Sequence, residues 1–287
     1  MNKKIGIFVL VTMIVCMLTA CGVASDAVDP TDKPPVADDM PSTDDVAPDS
    51  EGQPAPDQPD ELPSDGDVTD TPAVAIKQDT LLICDTNGLN VRSGKGAGYT
   101  SLGTLDKGDA VAKLGEAENG WYRTVYKERT AYVSAKYVHE QTFAQASARA
   151  ERVIEEGKKL LGHPYVWGSQ RYHWGNGKLN TAFKAGEYDC SALMQYIFFK
   201  GAGVCLDLNT RTQVLQGAQV ERQNLKRGDL MFFTNASRYH NTGVERVGHV
   251  AIYLGDNYIL HTASDHAVIE QISATRWSYY IVAKDVL

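Results

Sequence analysis

The sequence predicts an α+β protein. A small all-β barrel is followed by a domain in which helices pack on an antiparallel sheet, and both are carried on a disordered acidic tether. Three observations predict this. Between residues 78 and 140, short β-prone runs alternate with Asn-Gly, Ser-Gly and Lys-Gly turns. From residue 141, two helical patterns precede several strands joined by tight turns. Between residues 22 and 76 lie ten of the eleven prolines, thirteen Asp and two Glu, against one Lys.

The chain opens with Lys3 and Lys4, then an apolar stretch from Ile5 to Met17, then Leu18-Thr19-Ala20-Cys21. The stretch is short for a membrane-spanning helix. The tetrapeptide resembles the bacterial pattern in which a cysteine is lipidated and becomes N-terminal after cleavage. Residues 1–21 are therefore expected to be a lipoprotein signal with Cys21 as the lipid site. The expected location is extracytoplasmic, anchored by lipid to the outer face of the cytoplasmic membrane.

Residues 22–76 carry a local net charge of −14, no aromatic residue and no periodic apolar face. Such a segment cannot bury enough surface to offset its ordering entropy, and self-repulsion with proline keeps it extended. It reads as a tether or as a solubilising tail. The whole chain has a formal charge of −8, but residues 77–287 hold 25 Lys and Arg against 21 Asp and Glu. A head of about +4 is mild and demands no anionic partner. No basic patch with interleaved aromatics points to nucleic acid. Of five cysteines, Cys16 and Cys21 lie in the leader, leaving Cys84, Cys190 and Cys205. An odd number argues against a disulfide framework. Cys84 and Cys205 read as small core hydrophobes.

The first folded unit is expected over residues 77–140. Its strands are Thr80 to Cys84, Leu89 to Arg92, Ala110 to Leu114, Trp121 to Tyr126 and Ala131 to Val133. Gly88-Leu89-Asn90-Val91-Arg92-Ser93-Gly94, Gly103-Thr104-Leu105-Asp106-Lys107-Gly108-Asp109, Asn119-Gly120-Trp121-Tyr122 and Ala131-Tyr132-Val133-Ser134 resemble a bacterial SH3-type domain throughout. Trp121 and Tyr122 are expected in its core.

The second unit is expected over residues 141–287. Ala146, Ala150, Val153, Ile154, Gly157 and Leu161 recur at helical spacing. Next come Pro164-Tyr165-Val166-Trp167-Gly168 and a polar, Gly-containing stretch. Asp189 then caps a helix that begins at Cys190 and stops at Gly201 or Gly203. In that first turn the sulfur meets unpaired backbone N–H groups and the positive helix end, which favour the nucleophilic thiolate. A short helix around Thr210 to Leu215 follows, then strands at Leu230 to Phe233, Val247 to Leu254 and Tyr258 to His261, with Asp256-Asn257 as the turn. Paired strands could bring His249 and His261 onto one sheet surface. A cysteine nucleophile needs a base, and the base a third group to orient it. Seven histidines invite a metal reading, but there is no His-Glu-x-x-His and no paired Cys spacing, so neither metal nor cofactor is expected.

The second unit resembles the NlpC-type cysteine peptidases, papain-like murein hydrolases. Five motifs carry the match: Pro164-Tyr165-Val166-Trp167-Gly168, Asp189-Cys190-Ser191, Lys226-Arg227-Gly228-Asp229-Leu230, Gly248-His249-Val250-Ala251-Ile252-Tyr253 and Ile259-Leu260-His261. The resemblance implies Cys190 as nucleophile, His249 as base and then acid, His261 as orienter, and the Cys190 backbone N–H at the oxyanion. It implies peptidoglycan stem peptides as substrate, cut after D-glutamate at its γ-linkage to diaminopimelate or lysine. It also implies that Tyr165, Asp189 and Ser191 hold the free amino group of an N-terminal L-Ala, with Trp167 beside them. The barrel is expected to close one end of the groove and make the enzyme prefer short peptides with a free N-terminal L-Ala. The protein is expected to be a monomer. Two other readings stay open: a wall-binding lipoprotein that no longer turns over, and an amidase or acyltransferase using the same Cys-His-His set.

The sequence departs from the family pattern in four places. Ser169 stands for a second Gly and Ala192 for the Gly after Cys-Ser. The stretch from Gly168 to Asp189 and the loop from Thr234 to Arg246 are long. Both lead to the expected catalytic residues. Tyr172 and Trp174 in the first of these stretches read as loop anchors.

Overall fold

The computed structural model describes residues 79–262 and 265–287. The readings placed on residues 1–78, including the leader, Cys21 and the acidic tether, lie outside the described residues.

Seven strands come first: β1 (Asp79–Cys84), β2 (Leu89–Arg92), β3 (Ser101–Leu105), β4 (Ala110–Ala112), β5 (Trp121–Tyr126), β6 (Arg129–Ser134) and β7 (Val138–Phe143). The turn and alternation pattern predicts all but β3 and β7. β3, Ser-Leu-Gly-Thr-Leu, has little apolar alternation, and a Cβ at Gly103 would lie 2.6 Å from the Tyr126 hydroxyl, so it packs through its lack of a side chain. β7 is apolar only at its ends and forms a sheet edge, where polar side chains cost little. Trp121 and Tyr122 are half-buried rather than core; the buried aromatic of that strand is Tyr126. Tyr122 instead donates to Glu140 at 2.6 Å, with Lys113 over its ring.

Helix α1 (Ala148–Lys159) starts later than its apolar spacing predicts because Ser147 caps it, accepting the Ala150 N–H. Helix α2 (Cys190–Ala202) follows its sequence signals at both ends. Asp189 accepts the Ala192 N–H, and Gly203 ends it in the left-handed region at φ +66°. α2 is buried nearly all round, which suits its continuous apolar sequence. The two helices cross closely: a Cβ at Gly201 would lie 2.5 Å from the Val153 Cα. The remaining elements are α3 (Thr210–Gln213), β8 (Ala218–Val220), β9 (Leu230–Phe233), β10 (His249–Gly255), β11 (Tyr258–Thr262), β12 (Ala267–Gln271), α4 (Ala274–Ser278) and β13 (Tyr280–Asp285).

β3, β2, β6 and β5 form one antiparallel sheet. The other strands form a nine-stranded sheet in the order β7-β1-β4-β12-β11-β10-β9-β13-β8. Three strands of the first unit, β1, β4 and β7, are thus hydrogen-bonded into the same sheet as the second unit, through Ala110 opposite Ile269. One apolar core runs through both, from Leu81, Val91 and Tyr126 to Ile154, Phe198 and Val250. Each such side chain fully buried contributes about 1.5–3 kcal/mol.

The β5–β6 turn also docks on the segment leading to Pro164. The N–H groups of Lys127 and Glu128 donate to the carbonyls of Leu161 and Lys159, each at 2.8 Å. The Tyr126 ring fills the space where a Cβ of Gly162 would stand, and Gly162 has φ +84°, so both conformation and contact select glycine.

Candidate active site

Three segments position Cys190. The Asp189 cap fixes the first turn of α2. Gln213 of α3, wholly buried, donates from Nε2 to the Ser191 carbonyl at 3.0 Å and the Asp207 carbonyl at 2.8 Å. The segment 164–166 runs beside Tyr188, with Val166 N–H donating to the Tyr188 carbonyl at 3.0 Å. Cys190 is a buried thiol, 6% exposed; neither it, Cys84 nor Cys205 is disulfide-bonded. Burial pushes the Cys84 thiol up to about 11, so that sulfur is inert.

α2 packs on β10 and β11. His249 opens β10 and is 9% exposed, and His261 lies fully buried in β11. Ile252 is opposite Leu260, so the position facing His261 is two residues along from His249. On a pleated sheet this diagonal puts both rings on one face. His249 Nε2 and His261 Nδ1 are 2.9 Å apart. Gly248 is fixed by its neighbour: a Cβ there would meet the Asn235 side chain at 2.5 Å.

The row continues. Ile259 pairs with Glu270 and His261 with Val268, so Glu270 lies on the next diagonal, in β12. Its Oε1 is 3.0 Å from His261 Nε2 and accepts from Arg276 of α4 at 3.1 Å. Burial alone would raise the Glu270 carboxyl, but His261 and Arg276 hold it down at about 2. Glu270 is therefore ionised and can only accept. That fixes the chain of protons. His261 donates Nε2–H to Glu270, its Nδ1 accepts Nε2–H from His249, and the lone pair of His249 is left on Nδ1. Burial, reinforced by the charge of Arg276 and by any positive charge on His261, keeps His249 well below its ordinary value, so it is a neutral base at neutral pH. Burial lowers His261 as well.

Glu270 and Arg276 carry no motif. The available signal for Glu270 is a single carboxylate directly after Ala267-Val268-Ile269, in the strand following His261. Gln213 likewise gives only a polar residue in a short helix.

Tyr165 is half-buried, and Trp167 is exposed beside it. Ser191 donates to Asp189 Oδ1 at 2.9 Å. Tyr172 anchors the 169–188 stretch, its ring 5.0 Å from those of Phe183 and Tyr196. Trp174 does not anchor it: the loop turns the indole outward, 51% exposed.

A helix-start cysteine and a sheet-borne histidine pair lie in an α+β domain behind a small all-β one. Residues 162–285 match the NlpC/P60 family and residues 87–139 the bacterial SH3 domain. The chain carries an NlpC/P60 domain preceded by a bacterial SH3 domain. It is 30% identical over 186 residues to the gamma-DL-glutamyl hydrolase of Bacillus subtilis strain 168, covering 62% of this chain and 40% of that protein. It is 29% identical over 171 residues to the gamma-D-glutamyl-L-lysine dipeptidyl-peptidase of the same organism, covering 59% and 50%. The chain thus spans half or less of the length of these two relatives. Among solved structures, an NlpC/P60 family protein from Bacillus cereus ATCC 10987 aligns at 21% identity and TM-score 0.38, over 73% of this chain and 64% of that one.

Proposed function

We propose that this chain is a cysteine endopeptidase of cell-wall stem peptides, cutting the γ-bond between D-glutamate and the diaminopimelate or lysine that follows. The observation that carries the reading is the row His249, His261, Glu270, which leaves a proton-accepting nitrogen on the sheet that α2 packs against with Cys190 at its head. His249 Nδ1 takes the Cys190 proton, and the thiolate attacks the scissile carbonyl. The backbone N–H of Cys190 meets the oxyanion. His249 then protonates the leaving amine, and the thioester is hydrolysed by a water that His249 deprotonates. Tyr165, Trp167, Asp189 and Ser191 form the wall on the N-terminal side of the substrate. In this reading the head acts outside the cell, held by lipid on Cys21 at the end of the acidic tether.

Digestion of a defined stem peptide, with products identified by mass spectrometry, tests the bond. Release of a fragment ending in D-glutamate supports the proposal; an intact peptide, or cleavage elsewhere, overturns it.

Two further outcomes follow from the row. The base must be neutral to work, and its lowered pKa means pH must fall further before it is protonated. The acid limb of kcat/KM is therefore expected below the ordinary histidine value of 6.5. A limb at or above 6.5 contradicts the burial argument. Glu270→Ala removes the acceptor that fixes both tautomers and is expected to lower kcat about 10²-fold with KM little changed. Glu270→Gln, whose carbonyl can still accept from His261, retains more activity. Equal loss in both variants, or none in either, removes Glu270 from this role.

A further inference from the structure

Three of the four departures from the family pattern, Ser169, Ala192 and the long stretch that carries Arg171, meet at Asp189. Its carboxylate is almost fully occupied: Oδ1 accepts Ser191 Oγ–H at 2.9 Å and Ala192 N–H at 2.8 Å, and Oδ2 accepts Arg171 Nη1–H at 2.9 Å. Arg171 comes from the long stretch after Gly168. It is fixed from two further sides, donating from Nη1 to the Ser169 carbonyl at 2.7 Å and from Nε to the Leu208 carbonyl. The Ser169 hydroxyl closes the cluster by accepting Asp189 N–H at 2.8 Å. The side chains of Asp189 and Arg171 are 8% and 17% exposed, so this pair is screened little by water. Arg171 Nη2 makes no hydrogen bond among the described residues.

An amine-binding site needs an uncompensated carboxylate. Here the charge of Asp189 is already balanced by a guanidinium held through three acceptors. An incoming ammonium would gain little from the pair and would sit beside a like charge, and juxtaposed like charges are costly. A carbonyl oxygen in the same place would instead find the Nη2 donors of Arg171.

We propose that Arg171 makes this site select stem peptides whose L-Ala nitrogen is acylated, as in a stem still joined to its glycan, over peptides with a free N-terminal amine. The inference rests on the endopeptidase reading above and names its substrate class. It replaces the sequence expectation that Asp189, Tyr165 and Ser191 grip a free ammonium. The cause of the change is Arg171, which no family motif includes.

The test compares kcat/KM of the full chain on L-Ala-γ-D-Glu-L-Lys and on its N-acetyl derivative. The wild type is expected to prefer the acetylated peptide by about tenfold or more. Arg171→Gln uncovers the charge of Asp189 and is expected to move the ratio toward the free amine. Arg171→Lys keeps a cation there and is expected to keep the preference for the acetylated peptide, which guards against a folding defect in the Gln variant. A wild type that prefers the free tripeptide, or a ratio that Arg171→Gln leaves unmoved, overturns this inference alone. Cleavage of neither peptide by the wild type overturns the endopeptidase reading and this inference with it.

Discussion

Cys190→Ala is expected to lower turnover of a γ-D-glutamyl stem peptide by about 10⁴- to 10⁶-fold while leaving peptide affinity near wild type. The size follows from the chemistry, since without a thiolate no acyl intermediate forms and only unactivated water remains. The specificity follows from the fold. The helix start survives because Asp189 caps through the Ala192 N–H, not through residue 190. Alanine is a good helix former and leaves only a small void at a site that is 6% exposed in the wild type. Cys84 does not substitute: it lies in the barrel strand β1 with its pKa pushed up to about 11. Product quantitation by mass spectrometry and binding calorimetry of the same variant separate the two quantities. Turnover within about tenfold of wild type would exclude Cys190 as nucleophile.

Arg227→Ala is expected to destabilise the folded head by about 3–5 kcal/mol, the cost of breaking a buried ion pair by removing one partner. The side chain of Arg227 is 3% exposed. Its Nε donates to Glu151 Oε1 at 2.9 Å, Nη1 to the Leu254 carbonyl at 2.8 Å, and Nη2 to Asp79 and to Glu151 Oε2. Lys158 of α1 also pairs with Asp79, with its own side chain 2% exposed. Truncation takes the guanidinium from Glu151, leaves Asp79 to Lys158, which also pairs with Glu155, and leaves the Leu254 carbonyl without this donor. The network ties β1 of the barrel to α1 and to the turn before β9, so urea denaturation should register the loss across the whole head. The neighbouring Lys226 is the control. Its partner is Asp285 at 2.9 Å, and its side chain is 64% exposed, so Lys226→Ala is expected to change stability little. Equal midpoints for wild type and Arg227→Ala would contradict the structural role given to this motif.

Local chemistry made much of this legible. Asp189 followed by a largely apolar run specifies a capped, buried helix. Two histidines flanking an Asp-Asn turn specify a hairpin with both rings on one face. What escaped was contact between distant segments. Glu270 is nine residues from His261, and only the pairing of β11 with β12 makes them neighbours. The meaning of Arg227 depends on Asp79, 148 residues away. Asp189 reads the same in sequence whether its second oxygen faces solvent or Arg171, and the difference decides what ligand it can take. The shared sheet escaped for a related reason: a single pair, Ala110 with Ile269, joins the barrel strands to β12.

The central claim is that the histidine row activates Cys190, and the rate of Cys190 alkylation by iodoacetamide tests it without a substrate. Peptide-resolved mass spectrometry separates Cys190 from Cys84 and Cys205. With His249 taking its proton during attack, Cys190 is expected to be alkylated at neutral pH faster than Cys84, and His249→Ala is expected to slow it by about 10²-fold. Cys190 alkylation no faster than that of Cys84, or unmoved by His249→Ala, would contradict it.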